Sequence, residues 1–312
     1  MNIENRLTLR QLACLREIRR QGLNMSAAAA ALHTSQPGIT RQIQEMEEAI
    51  GMQLLIRRRN RVLAFSDLGN AVLAIADRIL DELENIRALV DDEQDEAAGF
   101  LTVATSHLHA RYTLRDPVKN FTRRFPKVQL RLLQADADTV QELVLNKQAE
   151  IAVSSDFSRD HPLLTVLPGG EIRRSLIMPA DHPLARGRRP TLRQLARYPI
   201  VGYNGRALGG ALMEKAFSDA GLSPTFVVRA ADADVIVTYV EDGLGLAIVP
   251  SVALPKASAR IFSLDATYLF RPTSTIVSVR RNNHLRSFAV EFIRQVAPNW
   301  TAQGIRSAIR GG

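Results

Sequence analysis

The stretch LNMSAAAAALHTSQPGITRQIQEMEEAI, residues 23–50, constrains this chain more than any other part of it. It reads as two short helices joined by a tight turn. Asn24 can cap the first, because its side-chain oxygen accepts from the free amides that open a helix, and the alanines after it let a second helix pack close. Ser35 can cap again, and Pro37 falls in the first turn of the next helix, where its missing amide costs nothing. Ile39, Ile43, Met46 and Ile50 then recur at helical spacing and give one apolar stripe for a core. The face left over carries Ser35, Gln36, Pro37, Thr40, Arg41 and Gln44. Arg and Gln read purine edges in a major groove, and hydroxyls and helix-start amides hold phosphates. A solvated helical hairpin has the same spacing, so this window alone leaves both readings open.

The next segment, MQLLIRRRNRVLAFSDLG, sets Arg57, Arg58, Arg59 and Arg61 between apolar residues. Apolar residues at that spacing can anchor a two-stranded wing that lays its charges along a phosphate backbone. From Ala28 to Arg57 the chain nearly spells AAxxLxxSQPxxSxQIxxLExxxGxxLFxR, with Thr40 for serine, Met46 for leucine and Ile56 for phenylalanine. On these residues the segment resembles the N-terminal winged helix-turn-helix of LysR-type transcriptional regulators. The resemblance implies a DNA-binding regulator rather than an enzyme.

Charge is unevenly spread. Residues 1–66 hold 10 Lys+Arg against 5 Asp+Glu, a net of +5; residues 67–98 hold 2 against 10, a net of −8; residues 99–312 hold 28 against 17, a net of +11. A basic head, an acidic connector and a mildly basic body are regions with different tasks. The head is the polyanion binder. Cys14 is the one cysteine of the chain, which excludes an internal disulfide, and it is most simply a packing residue, a redox-sensing thiol being the alternative. With no apolar run long enough to span a bilayer and no signal-peptide core at the N-terminus, a cytoplasmic protein without membrane partners is expected.

After the wing, Ser66 or Asp67 can cap a long helix running to about Val90. Along it Leu68, Val72, Ile75, Ile79, Leu83, Ile86 and Val90 form a near-heptad seam, while the other faces are acidic. A second copy of the chain is the natural cover for such a seam; packing back on the head is the alternative. In the LysR type this is the linker helix, so the resemblance implies a homodimer through it, assembling to a homotetramer. The expected division is a winged helix-turn-helix domain at 1–66, a linker and dimerisation helix at 67–91 and an effector-binding domain at 92–312.

Beyond the acidic stretch 91–99, strands and helices alternate. FLTVAT at 100–105, residues 128–133 and 150–154 read as strands separated by helices, an order that predicts a parallel sheet covered on both faces. A second set follows, with strands near 173–178, 199–203, 226–230 and 246–249. A strand at 274–280 and a helix at 285–296 return to the first set. The fold class expected is therefore α/β with an N-terminal all-α winged helix-turn-helix domain and a C-terminal, two-lobed, periplasmic-binding-protein-like α/β domain. Lobe I covers about 99–168 and 272–300, and lobe II about 169–271. Two lobes joined by two crossings make a hinged cleft.

In open α/β sheets ligands collect at the C-terminal ends of strands, near helix N-termini. Ser106, His107, Leu108 and His109 follow the first strand, Ser155 the third, and Gly202, Asn204 and Arg206 lie at a strand end of the second lobe. Hydroxyls, amides, histidines and an arginine at such ends suit a small anion; ordinary helix-capping loops would look alike. TSHLHARY (105–112), DADVIVTYVEDGLGLAIV (232–249) and LDATYLF (264–270) are similar to segments of the CysB-like branch, the LysR-type activators of sulfur assimilation. That resemblance implies a sulfate-like or other sulfur-containing anionic effector held by these strand ends and by Asp234. It keeps Ser106 and Ser155 where the branch has threonines. It departs at Leu108 for threonine, His109 for glutamine, Gly202 for threonine and Gly210 for arginine, with Arg206 near enough to substitute. Promoter DNA is the expected macromolecular partner, and contact with RNA polymerase is possible. No P-loop, dinucleotide fingerprint or activated nucleophile appears. The two histidines lack a third ligand at a recognisable spacing, so neither a catalytic residue, a cofactor nor a metal is expected. A LysR-type regulator of another pathway with a different small-molecule effector is one alternative; a cytoplasmic small-molecule binding protein or enzyme with an accessory helical domain is the alternative from another class, and it would have no use for the arginine-rich wing.

Overall fold

The computed structural model describes residues 7–58, 61–93, 98–136, 139–155, 161–187, 189–204, 208–255 and 258–311. The chain divides into two compact units, Met1–Gln94 and Asp95–Gly312.

In the first unit α1 (Leu9–Arg20), α2 (Met25–Ala31) and α3 (Gln36–Ile50) are followed by β1 (Leu55–Arg58), β2 (Arg61–Phe65) and α4 (Asp67–Glu93). Each start is capped as its residues dictate. Thr8 and Gln11 form a capping box on α1, Asn24 accepts from the Ser26 and Ala27 amides, and Ser35 accepts from Gly38 N with Pro37 in the first turn. Gly51 ends α3 in the left-handed conformation at φ 80. Ser66 Oγ accepts from Gly69 N at 2.9 Å and donates to the Gln53 carbonyl at 2.8 Å, fixing the wing to the start of α4. Position 69 must be glycine, since a Cβ there would stand 2.0 Å from the Leu54 carbonyl oxygen.

The long helix α4 has two apolar faces where the sequence reading found one. Leu73, Ala76 and Leu80 are buried with Leu15, Ile18, Ile39, Ile43 and Met46 in the core of the head. Ion pairs flank that contact, Arg16 with Asp81 and Glu84, and Arg19 with Asp77 at 2.8 Å. Leu68 and Val72, the first two residues of the predicted seam, also pack against that core, and the rest of the seam forms a separate face. Ile75, Ile79, Leu83, Ile86 and Val90 are all exposed in the single chain, an apolar stripe of the kind a second copy covers. Packing back on the head and an open seam, posed as alternatives, therefore coexist on one helix.

The second unit has two lobes. Lobe I holds a five-stranded sheet in the order β4-β3-β5-β12-β6, built from β3 (Gly99–Thr105), β4 (Val128–Gln134), β5 (Ile151–Ser155), β6 (Leu164–Ile172) and β12 (Thr273–Arg280). The first three strands are parallel, as the alternation predicts, but β12 runs antiparallel to both β5 and β6. The chain enters β12 from the other lobe rather than through a helical crossover, which frees it from the parallel rule. Helices α5 (Arg115–Arg124), α6 (Val140–Leu145), α10 (Ser287–Val296) and α11 (Ala302–Ile309) cover the sheet. Phe121 packs edge-on to Phe292 with centroids 5.5 Å apart and tilted to Phe125 at 5.1 Å, so the core joins α5 to α10.

Lobe II holds β7 (Arg174–Pro179), α7 (Leu192–Leu195), β8 (Ile200–Tyr203), α8 (Leu208–Asp219), β9 (Phe226–Ala230), α9 (Ala233–Glu241), β10 (Ala247–Pro250) and β11 (Ile261–Asp265). Its sheets have the orders β10-β7-β11 and β8-β9, joined by a bridge from Ile200 to Leu246. The sequence reading missed β6, β11 and α11. LTVLPGGEI carries Pro168 and two glycines, which argue locally against a strand, yet nearly all its partners come from β12, more than a hundred residues on.

Candidate functional site

Two surfaces carry the residues singled out above. On the first unit, α3 turns Ser35, Gln36, Pro37, Arg41 and Gln44 outward. Ile39, Ile43 and Met46 hold the helix from behind. Thr40 is half-buried and its hydroxyl donates to the Gln36 carbonyl at 3.0 Å, while Arg41 is 80 % exposed with Nε on Glu45 at 2.8 Å. An exposed pair of this kind costs little to exchange for a phosphate or a base edge.

The wing is an antiparallel pair that brings Arg58 opposite Arg61. Arg59 lies outside the described residues. Arg57 differs from its neighbours, because its Nη1 donates to Glu47 Oε2 at 2.9 Å. Glu47 Oε1 in turn accepts from the backbone amides of Leu54 at 2.8 Å and Leu55 at 3.0 Å. This buried carboxylate anchors the wing to α3, a role the sequence reading missed although Glu47 sits in the motif that carried the family resemblance.

The second surface is the cleft of the second unit, where the two lobes meet. Leu108 and Tyr112 from lobe I pack on the lobe II cluster around Val201, Tyr203 and Ile236. Asp234, in the first turn of α9, reaches back across the cleft. Its Oδ2 accepts from Arg111 Nη1 at 2.9 Å, and its Oδ1 stands 3.5 Å from His107 Nε2. His107 Nε2 and Asp234 Oδ1 are both sealed from solvent and neither makes a hydrogen bond. Arg111, unnoticed in the sequence reading although it lies within TSHLHARY, completes this inter-lobe cluster.

The remaining predicted cleft residues are not equivalent. His109 begins a five-residue π-helical segment, His109–Thr113, and is fully buried. Its Nε2 lies 3.1 Å from Ser155 Oγ and its Nδ1 3.0 Å from Thr113 Oγ1, so the ring braces Ser155 from inside lobe I. Ser106 is half-buried at the end of β3, and Asn204 is exposed with its amide on the Ala230 carbonyl at 2.9 Å. Gly202 is buried, and a Cβ there would lie 2.7 Å from the Phe226 ring. A threonine at that position therefore requires Phe226 to move. Arg206 lies outside the described residues. No group of three metal-ligating side chains occurs among the described residues.

Burial lowers the His109 pKa from 6.5 to about 4. Above pH 6.5 the ring is neutral in both folded and unfolded chains and contributes no pH dependence. Between pH 6.5 and 4 the unfolded chain takes up the proton first, so stability falls as pH drops, by about 3 kcal/mol across the window. Melting curves of wild type and His109→Gln over this range are expected to converge as the pH falls; a constant offset would contradict the assignment.

Residues 9–70 match the family model for the bacterial regulatory helix-turn-helix protein, lysR family, and residues 94–300 match that for the LysR substrate binding domain. The chain is 35 % identical to the HTH-type transcriptional regulator CysB of Burkholderia cenocepacia over 98 % of both chains. It is 34 % identical to the HTH-type transcriptional regulator SsuR of the same species, over 97 % of this chain and 99 % of that one. The crystal structure of the cofactor-binding domain of the Cbl transcriptional regulator aligns with 69 % of this chain and 95 % of its own, with a TM-score of 0.65 and 30 % identity. Among the described residues no helix is long and apolar enough to cross a membrane.

Proposed function

Because the chain belongs to the LysR family of transcriptional regulators, we propose that it controls genes of sulfur assimilation or of sulfonate and sulfur-ester use, in response to a small sulfur-containing anion bound between the lobes. It acts in the cytoplasm, as a homodimer through the exposed face of α4 or a homotetramer built from such dimers. Ser35, Gln36, Pro37, Thr40, Arg41 and Gln44 enter the major groove, and the wing arginines follow the phosphates. Among the described wing residues, Arg58 and Arg61 are the charges best suited to that task, since Arg57 is engaged with Glu47.

The observation that carries the effector reading is the cluster of Arg111, His107 and Asp234 across the cleft. An internal carboxylate there occupies the cationic corner that an incoming anion would take. An effector that displaces Asp234 exchanges one inter-lobe contact for another, and so biases the hinge by its differential affinity for the two arrangements. Thermal melts with sulfate, thiosulfate, adenosine phosphosulfate, O-acetylserine and unrelated carboxylates test this, since a ligand preferring the folded state raises its melting point. Shifts confined to the sulfur compounds are expected. A response to none of them would overturn sulfur control and leave the family assignment standing.

A further inference from the structure

Residues 181–200 of lobe II carry five arginines and a single carboxylate, Asp181. The segment runs through a short 3-10 turn, Pro183–Arg186, and the one-turn helix α7. Leu184, Ala185, Leu192, Ala196 and Tyr198 pack on the lobe II core around Leu195 and Phe217, so the apolar side of the segment faces inward. His182 meets Tyr198 edge-on with ring centroids 4.5 Å apart, which draws the two ends of the segment together. The Tyr268 hydroxyl donates to the Pro190 carbonyl at 2.9 Å and ties its middle to the lobe. Arg186, Arg189, Arg193 and Arg197 are left on the outer side, all exposed; Arg188 lies outside the described residues. Arg193 and Arg197 stand four residues apart on one helical turn, which the Ala196 and Arg197 amides prolong by donating to the Leu192 and Gln194 carbonyls.

These arginines are unpaired where other surface cations of the second unit are paired. Arg173 bonds Glu171 at 2.8 Å, Lys215 bonds Asp219 at 3.0 Å and Arg124 bonds Glu291 at 2.9 Å. Among the described residues no carboxylate forms an ion pair with Arg186, Arg189, Arg193 or Arg197. Arg189 lies instead over the Tyr268 ring, 5.3 Å from its centroid. The carboxylate of Asp265 accepts from the Thr267 amide at 2.8 Å. Like charges four apart on a helical turn repel one another, so grouping these arginines costs the folded chain a little stability.

We infer that this face of lobe II is a second DNA-contacting surface, one that follows the phosphate backbone of duplex flanking the sequence held by the helix-turn-helix. Three observations select a phosphate backbone over other anions. The charges are all guanidinium, whose weak hydration and planar fork suit phosphate oxygens. Among the described residues no large apolar side chain is exposed between 180 and 200, whereas a protein partner is normally held by apolar or aromatic anchors at the centre of its contact. The four side chains also point outward along a stretch of chain instead of converging on a concave pocket, as a site for one small anion would require. Once the first unit holds DNA, any contact of lobe II with the same duplex is intramolecular, so a few solvated arginines add usefully to affinity. The inference is independent of the effector reading.

The test compares the full chain with a triple variant, Arg186→Gln, Arg193→Gln and Arg197→Gln, on two duplexes from its promoter region. One is limited to the sequence that the heads protect, and the other extends well beyond it on both sides. The variant is expected to melt like wild type, since all three side chains are exposed. On the longer duplex it should bind about tenfold or more weakly and with a salt slope lower by about two to three. On the short duplex it should bind like wild type. Lysine at the same three positions should restore most of the slope, because the charges return. Wild-type affinity and slope on the longer duplex would overturn the inference. An equal loss on both duplexes would overturn it too, since the substitutions would then act on the heads. A change in oligomeric state by light scattering, with DNA binding otherwise intact, would assign the arginines to another copy of the chain and equally overturn it.

Discussion

Glu47→Ala is expected to destabilise the first unit by about 3–4 kcal/mol, more than any surface change in the helix-turn-helix. The carboxylate is 8 % exposed and accepts from two buried amides, at Leu54 and Leu55, as well as from Arg57. Alanine leaves both amides without partners, and each orphaned buried donor costs about 1–3 kcal/mol. The Arg57 guanidinium also loses its counter-ion, and the wing loses its tie to α3. For a unit of this size the melting transition should fall by at least 10 °C or so. Glu47→Gln keeps an acceptor for the amides and should lose clearly less. Calorimetry that left the Glu47→Ala transition within a degree or two of wild type would show that the wing is held some other way.

The second large effect concerns assembly. Ile79→Asp places a carboxylate in the middle of the exposed stripe of α4, between Ile75 and Leu83, and in a symmetric pair each charge appears twice. Burying unpaired carboxylates costs several kcal/mol. The dimer dissociation constant is therefore expected to rise by about a thousandfold or more, a factor of ten for each 1.4 kcal/mol. The head should remain folded, because Leu73, Ala76 and Leu80 lie on a different face of the helix and keep their contacts with α1 and α3. Light scattering at micromolar concentration should report monomers; dimers that persist would place the interface elsewhere.

What could be read in advance follows from where the physics is local. Helix caps, the apolar stripe of α3 and the outward polar face are set by residues within one or two turns of each other, and they stand in the structure as the spacing predicts. The strands at 100–105, 150–154 and 274–280 were legible because they are short apolar runs between turn signals. Strand β6 was not, since its Pro-Gly-Gly is tolerated only at the edge of a sheet whose next strand, β12, lies far along the chain. The second apolar face of α4 was hidden for a similar reason: Leu73, Ala76 and Leu80 matter only once α1 is in place. At the cleft, the rule for open sheets pointed to the strand ends of the first lobe, and Ser106 and Ser155 do stand at the ends of β3 and β5. The division of labour among the cleft residues was not legible, because the burial of His109 depends on the packing of lobe I around Ser155 and the reach of Asp234 to Arg111 on how the lobes meet.

The measurement closest to the central claim is the salt dependence of binding to duplex DNA from the chain's own promoter region, for wild type, Arg41→Ala and Arg58→Ala. A reading helix and a phosphate-tracking wing make different predictions. Arg41→Ala should cost about 1–3 kcal/mol on promoter DNA and little on unrelated DNA, with the salt slope nearly unchanged. Arg58→Ala should weaken binding to both alike and lower the salt slope by about one. Promoter affinity and slope indifferent to both substitutions would contradict the reading of α3 and the wing as the DNA-binding surface.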